Sequence, residues 1–153
     1  MMRIYLVRHG HTNAGSAYDT HHGYPDPALS EVGIRQAEKL GERLLHQKIA
    51  AIYSSDLKRA SETAEIIARY ANAEVILKPQ LREINMGEIF KQGWEAFPGF
   101  HDEWLKHEAD LPYPGGEAGM DVKKRACLGL GWKNVSCLHP QQIVVSVCCF
   151  TIR

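Results

Sequence analysis

Apolar positions in this 153-residue chain fall into short runs separated by turn formers. Arg3 to Val7 contains Ile4-Tyr5-Leu6-Val7, β-branched and aromatic with no turn residue until Gly10, which predicts a short buried strand. From Asn13 to Pro27 no helical period survives, and Gly15, Asp19, His21, His22, Gly23, Pro25 and Pro27 predict a loop leaving the end of that strand. Ser30 then stands as an N-cap for a helix whose apolar positions Ile34, Ala37, Leu40, Leu44 and Leu45 recur at three- and four-residue spacing, with charges opposite. Gly33 and Gly41 weaken that helix. Ala51-Ile52-Tyr53-Ser54 predicts a second strand, and Asp56 to Tyr70 a helix with Leu57, Ala60, Ala64, Ile67 and Ala68 inward.

Glu74 to Leu77 predicts a third strand, ended by Pro79. A loop with Arg82 and Glu83 follows, then a short helix from Phe100 to Ala109 carrying Trp104 and Leu105. Pro112, Pro114, Gly115 and Gly116 break the chain before a helix from Asp121 to Leu130 with Val122, Ala126 and Leu130 inward. Ile143-Val144-Val145-Ser146 predicts a last buried strand. Strands alternating with helices imply an α/β fold, expected here as a three-layer α/β/α sandwich with a mostly parallel sheet, formed as a single domain over 1–153.

Composition narrows the partners. Lys+Arg and Asp+Glu number 18 each, so no net field argues for nucleic acid or an anionic membrane, and recognition of an anion must be local. No run approaches the roughly 18 apolar residues of a membrane span, and Ile4 to Val7 is too short for a signal-peptide core. A cytoplasmic location is expected. The four cysteines, Cys127, Cys137, Cys148 and Cys149, all lie near the C-terminal end. That spacing is unlike a secreted disulfide framework and suits reduced thiols.

Ligands of open α/β sheets sit beyond the carboxyl ends of strands, and there stand Arg8, His9 and Gly10. Imidazole can attack phosphorus at neutral pH, guanidinium can grip phosphoryl oxygens bidentately, and glycine lets backbone approach an anion. Alone, the tripeptide says little, because a histidine after a strand is ordinarily structural. Further pieces follow in order: His11-Thr12, Gly23, Leu29-Ser30-Glu31-Val32-Gly33 with Gln36-Ala37, and Tyr53-Ser54-Ser55-Asp56-Leu57-Lys58-Arg59-Ala60 with Thr63-Ala64.

That ordered string resembles the histidine phosphatase superfamily, over roughly residues 3 to 125. The resemblance continues through Leu81-Arg82-Glu83-Ile84-Asn85-Met86-Gly87-Glu88, similar to the acid/base segment, and through Pro114-Gly115-Gly116-Glu117, similar to a Pro-Gly-Gly-Glu-Ser turn. It implies that His9 becomes a phosphohistidine, that Arg8 and Arg59 clamp phosphoryl oxygens, and that Glu83 protonates the leaving alkoxide. Gly10, Thr12 and Gly23 are implied around the phosphate. His11 stands where many relatives have Glu or Gln. The mechanism so implied uses no metal or organic cofactor, and the implied partner is a small phosphorylated metabolite.

The pattern breaks late. Relatives place a second catalytic histidine within Val-Ser-His-Gly-Gly-x-Ile-Arg, whereas this chain reads Val145-Ser146-Val147-Cys148-Cys149-Phe150-Thr151-Ile152-Arg153. Residues from about Cys127 to Phe150 have family-like text on both sides, as a pair of compensating frameshifts would leave. C-terminal elements are therefore expected to be altered or absent from about residue 127. An apolar face left uncovered there is compatible with a homodimer. His11, His21 and His22 lie on the loops after that strand, but loop histidines are ordinarily solvated, so none of them is expected to take the missing role.

The function expected is a phosphatase acting through His9, resembling small bacterial phosphatases such as the α-ribazole phosphatases. A phosphoglycerate mutase shares every motif, but the segment between Glu83 and Pro114 is shorter than in typical mutases and lacks their basic Arg-Arg pair. From another class, the chain could bind a phosphorylated ligand without efficient turnover. A metal or redox module of Cys137, His139, Cys148 and Cys149 lacks the paired Cys-x-x-Cys spacing of structural zinc sites.

Overall fold

A computed structural model of the chain describes residues 3–13, 20–21, 24–107, 110–131 and 147–152. The chain divides into two compact units, residues 1–82 with 144–153, and residues 83–143.

The first unit is built on a four-stranded sheet. Strand β1 spans Arg3–Arg8, β4 Ile49–Ser54, β5 Val75–Leu77 and β6 Val147–Ile152, in the spatial order β1-β6-β4-β5. Strand β6 pairs antiparallel with both β1 and β4, while β4 and β5 pair in parallel. Three of the four strands therefore run the same way, so the carboxyl ends of β1 and β4 share one edge. The strand expected at 143–146 lies outside the described residues. Among the described residues the late strand is β6, with Val147 opposite Arg8 in the register.

Helices α1, Glu31–Leu44, and α2, Lys58–Ala71, pack on this sheet. The core joins Leu44, Ile49, Ile52, Ala64 and Ile67, with Tyr5, Val7 and Leu40 against them. A smaller cluster holds Leu29, Ala37 and Ile66. Between β1 and α1, the expected loop contains a two-residue ladder, β2 Thr20–His21 with β3 Tyr24–Pro25.

The inward face of α1 differs from the one its apolar periodicity predicts. Its buried positions are Gly33, Ala37, Gly41 and Leu44, whereas Ile34 and Leu45 are exposed at 41% and 50%. The two glycines that weaken the isolated helix are what let it pack. A side chain at Gly41 would meet the Tyr70 ring, and one at Gly33 would meet the backbone carbonyl of His11. The face is selected by backbone approach, which a hydrophobic count cannot register. Gly33→Ala is accordingly expected to cost about 1–3 kcal/mol of stability, the usual penalty for overpacking a filled contact. Urea unfolding of the two chains measures it.

The second unit contains α3, Glu88–Gln92, α4, Phe100–His107, and α5, Gly119–Gly129. No residue of α4 is buried, but Trp104 stacks on Tyr113 at 5.2 Å and Trp94 meets that tyrosine edge-on at 6.0 Å. Aromatic contacts thus supply the packing that a short helix with few apolar residues lacks. From α5, Val122 and Cys127 are buried, while Ala126 and Leu130 are half-buried. Cys127 is a free thiol whose pKa is pushed up by burial, which makes it an inert one.

Candidate active site

Two hydrogen-bond systems hold the segment that follows β1. The Gly10 N–H donates to the Thr63 hydroxyl at 3.1 Å, and that hydroxyl donates to the Arg59 carbonyl at 2.7 Å. Thr63 is fully buried on α2, so it joins this segment directly to the helix that carries Arg59. On the other side the His11 N–H donates to Gln36 Oε1 at 2.9 Å. The Ser30 hydroxyl, N-cap of α1, accepts from Gly33 N at 3.2 Å and donates to the His11 carbonyl at 3.1 Å. The same hydroxyl lies 2.8 Å from His11 Nδ1.

The helix that presents Arg59 is fixed from its start. Leu57 at its N-cap lacks a capping side chain of its own, and Asp26 accepts from Lys58 N at 2.6 Å in its place. Glu62 Oε2 accepts from Leu29 N at 2.7 Å, latching the preceding loop to the same helix. Asp56 accepts from Arg82 Nε at 2.7 Å and Nη2 at 2.5 Å, and that guanidinium lies over the Tyr24 ring.

Arg8, His9, Gly10, His11, Thr12 and Gln36 line one cavity of about 480 Å³ at this edge of the sheet. The His9 ring approaches the Gly10 carbonyl through Nδ1 at 2.7 Å. A carbonyl only accepts, so Nδ1 carries the proton and Nε2 keeps the lone pair. Burial lowers the pKa of His9 below the ordinary 6.5, opposed by the Gly10 hydrogen bond and reinforced by the charges of Arg59 and Arg8. At neutral pH the ring is therefore an uncharged imidazole in a field of two guanidinium groups.

Arg59 is 6% exposed, a buried cation and not the solvated helix charge that its position alone would suggest. Gly10 has a packing reason as well as a chemical one, since a Cβ there would stand 2.5 Å from the Gly33 carbonyl. Thr12 bridges to Leu29 and borders the cavity. Gly23 lies outside the described residues. Glu83 belongs to the second unit, where its carboxylate accepts from Ile84 N at 3.3 Å.

Thr63 is the residue that sequence reasoning left without a role. Its place four residues after Arg59 was the available signal, because a threonine hydroxyl reaches back to the carbonyl of residue i−4 within a helix. Thr63→Val keeps the shape but strands the buried Gly10 N–H, at an expected cost of about 1–3 kcal/mol. Chemical denaturation checks the loss.

Among the described residues, no three His, Cys, Asp or Glu side chains gather as metal ligands would. Cys137 and His139 lie outside those residues. No described helix is long and apolar enough to cross a membrane.

The carboxyl end of β1 thus carries Arg8 and an uncharged His9, with the buried Arg59 of α2 adding a second positive charge to the ring's surroundings. The chain matches the histidine phosphatase superfamily (branch 1) over residues 4–148 and belongs to it. It is 37% identical over 135 residues to the probable phosphoglycerate mutase GpmB of Photorhabdus laumondii, covering 84% of this chain and 62% of that protein. Its fold is similar to that of a mycobacterial glucosyl-3-phosphoglycerate phosphatase, with a TM-score of 0.70 and 30% identity over 85% of this chain and 62% of the other. An Escherichia coli protein named as a candidate alpha-ribazole-5'-P phosphatase shares the fold at a TM-score of 0.68 and 22% identity, over 86% of this chain and 66% of that one. The chain thus spans about three fifths of the length of the curated relatives it matches.

Proposed function

We propose that this chain is a phosphomonoesterase that hydrolyses a small phosphorylated metabolite in two steps. His9 Nε2 attacks phosphorus, the ester P–O bond breaks, and the departing alkoxide takes a proton from Glu83. Water then attacks the phosphohistidine, gives a proton back to Glu83, and releases inorganic phosphate with neutral His9. Arg8 and Arg59 hold the equatorial oxygens throughout, where fixed cations stabilise the charge spread over them. The observation that carries this reading is the Nδ1–H of His9 on the Gly10 carbonyl, which aims the unprotonated nitrogen away from the backbone. The mycobacterial phosphatase of similar fold has been solved with VO3 and with inorganic phosphate, the ligands such a pocket would take.

Two observations favour other outcomes of the same site. Relatives of 35–37% identity carry the name probable phosphoglycerate mutase, which favours phosphoryl transfer to a second hydroxyl over transfer to water. Val147 stands opposite Arg8 where the resemblance implies the second histidine, which favours a phospholigand binder of low turnover. One experiment separates the three. Phosphate release is followed from an aryl phosphate and a panel of sugar phosphates, with isomer exchange of a phosphoglycerate alongside and His9→Ala as control. Release abolished in the control supports the phosphatase, isomer exchange without net release supports the mutase, and vanadate binding with neither supports the binder.

A further inference from the structure

The turn Pro114 to Glu117 has no chemical role in the reading above, yet its glutamate is at the centre of a tight network. Arg125, on α5, donates from Nε to Glu117 Oε1 at 2.8 Å and from Nη2 to Glu117 Oε2 at 2.9 Å. The same Nη2 donates to the Glu83 backbone carbonyl at 2.9 Å. Glu117 Oε2 in turn accepts from Asn85 N at 2.9 Å, and Glu117 N donates to the Asn85 carbonyl at 2.9 Å. The side chains of Arg125 and Glu117 are only 21% and 23% exposed, so water competes weakly with the pair.

Those bonds seize the backbone on both sides of Ile84, one at the carbonyl of residue 83 and two at residue 85. A bidentate pair holds direction as well as distance, and a lysine in place of the guanidinium could not span both carboxylate oxygens and a carbonyl together. We infer that Arg125 and Glu117 are positioning residues for Glu83, fixing the peptide from which its carboxyl group projects and so setting proton delivery to the leaving group. This rests on the assignment of Glu83 as the proton donor.

Leaving-group dependence provides the test. An activated aryl phosphate departs without protonation, whereas an alkyl phosphate needs it, so only a residue that acts through the acid separates the two substrates. Turnover of 4-nitrophenyl phosphate and of a sugar phosphate is measured for the full chain, Glu83→Gln, Arg125→Ala, Arg125→Lys and the Glu83→Gln/Arg125→Ala double variant. Arg125→Ala is expected to lose on the order of 10-fold or more on the alkyl ester, with the aryl ester within about 2-fold, as a misplaced general acid requires. The double variant is expected to be no slower on the alkyl ester than Glu83→Gln. Equal losses on both esters, beside a selective loss in Glu83→Gln, would overturn the inference. A Glu83→Gln variant that is itself unselective would remove the acid assignment, and the inference with it.

Backbone amide NMR gives a reading independent of turnover. Arg125→Lys retains charge and helix, and it is expected to shift the amide resonances of Ile84 and Asn85 and to speed their hydrogen exchange. Unchanged resonances there would overturn the inference even in a chain with no measurable activity, and even if Arg125→Ala does not fold.

Discussion

Replacing His9 by alanine is expected to lower phosphate release on the order of 10³-fold or more, because the covalent route disappears and only binding and charge stabilisation remain. Labelled substrate should leave acid-labile phosphate on the native chain and none on the variant. A His9→Ala chain that retains activity would end the phosphohistidine reading. The pH profile carries a second signature. Burial holds His9 below its ordinary value, so it stays unprotonated through neutral pH and the acid limb of kcat/KM is expected below pH 6.5.

The same shift sets the sign of a stability effect. Between the lowered folded value and 6.5, the unfolded chain binds more protons at this residue than the folded one. The contribution is therefore fully present above pH 6.5 and is lost as the pH falls toward the folded value. Unfolding of wild type and His9→Ala at pH 7.5 and pH 5 should show the wild type losing more on acidification. An equal loss in both chains would place the effect elsewhere.

Arg59→Met is the second large effect. It keeps length and apolar bulk on α2 but removes a buried cation whose charge acts on His9, with an expected loss on the order of 10²–10³ in kcat, the range for one donor to a transition-state anion. Arg59→Lys should recover only part of it, since an ammonium restores charge without the fork that takes two oxygens. Vanadate inhibition should weaken in the same order, native, lysine, methionine. Equal inhibition of all three would place Arg59 outside the phosphate pocket. The methionine variant should also raise the pKa of His9, because one of the two charges that lower it is gone.

What sequence alone makes legible of the candidate site is its local part. Arg8 ends one strand and His9, Gly10 and Thr12 follow it, and the same short stretch borders one cavity. Element types followed from apolar periodicity: β1, β4, β5, α1, α2 and α5 lie within a few residues of their expected places. Strong periodicity fixes that an element exists, because a strand or helix must bury whichever positions recur on one face.

Only the tertiary structure decided which face, which partner and which charge state. The apolar count assigned Ile34 inward and treated Gly33 and Gly41 as weak points, whereas the helix turns those glycines in to bring backbone against His11 and a ring against Gly41. Arg59 by helix position alone is an ordinary surface charge, and only its motif sets it apart; in space it is a buried cation. Thr63 gains its purpose from Gly10, fifty-three positions earlier, and Arg125 from Glu83, forty-two positions earlier. Periodicity reports what a segment must hide from water, a property each segment owns alone. Hydrogen-bond partners, backbone approach and the desolvation that lowers the pKa of His9 belong to pairs of segments, and these exist only once the chain has folded.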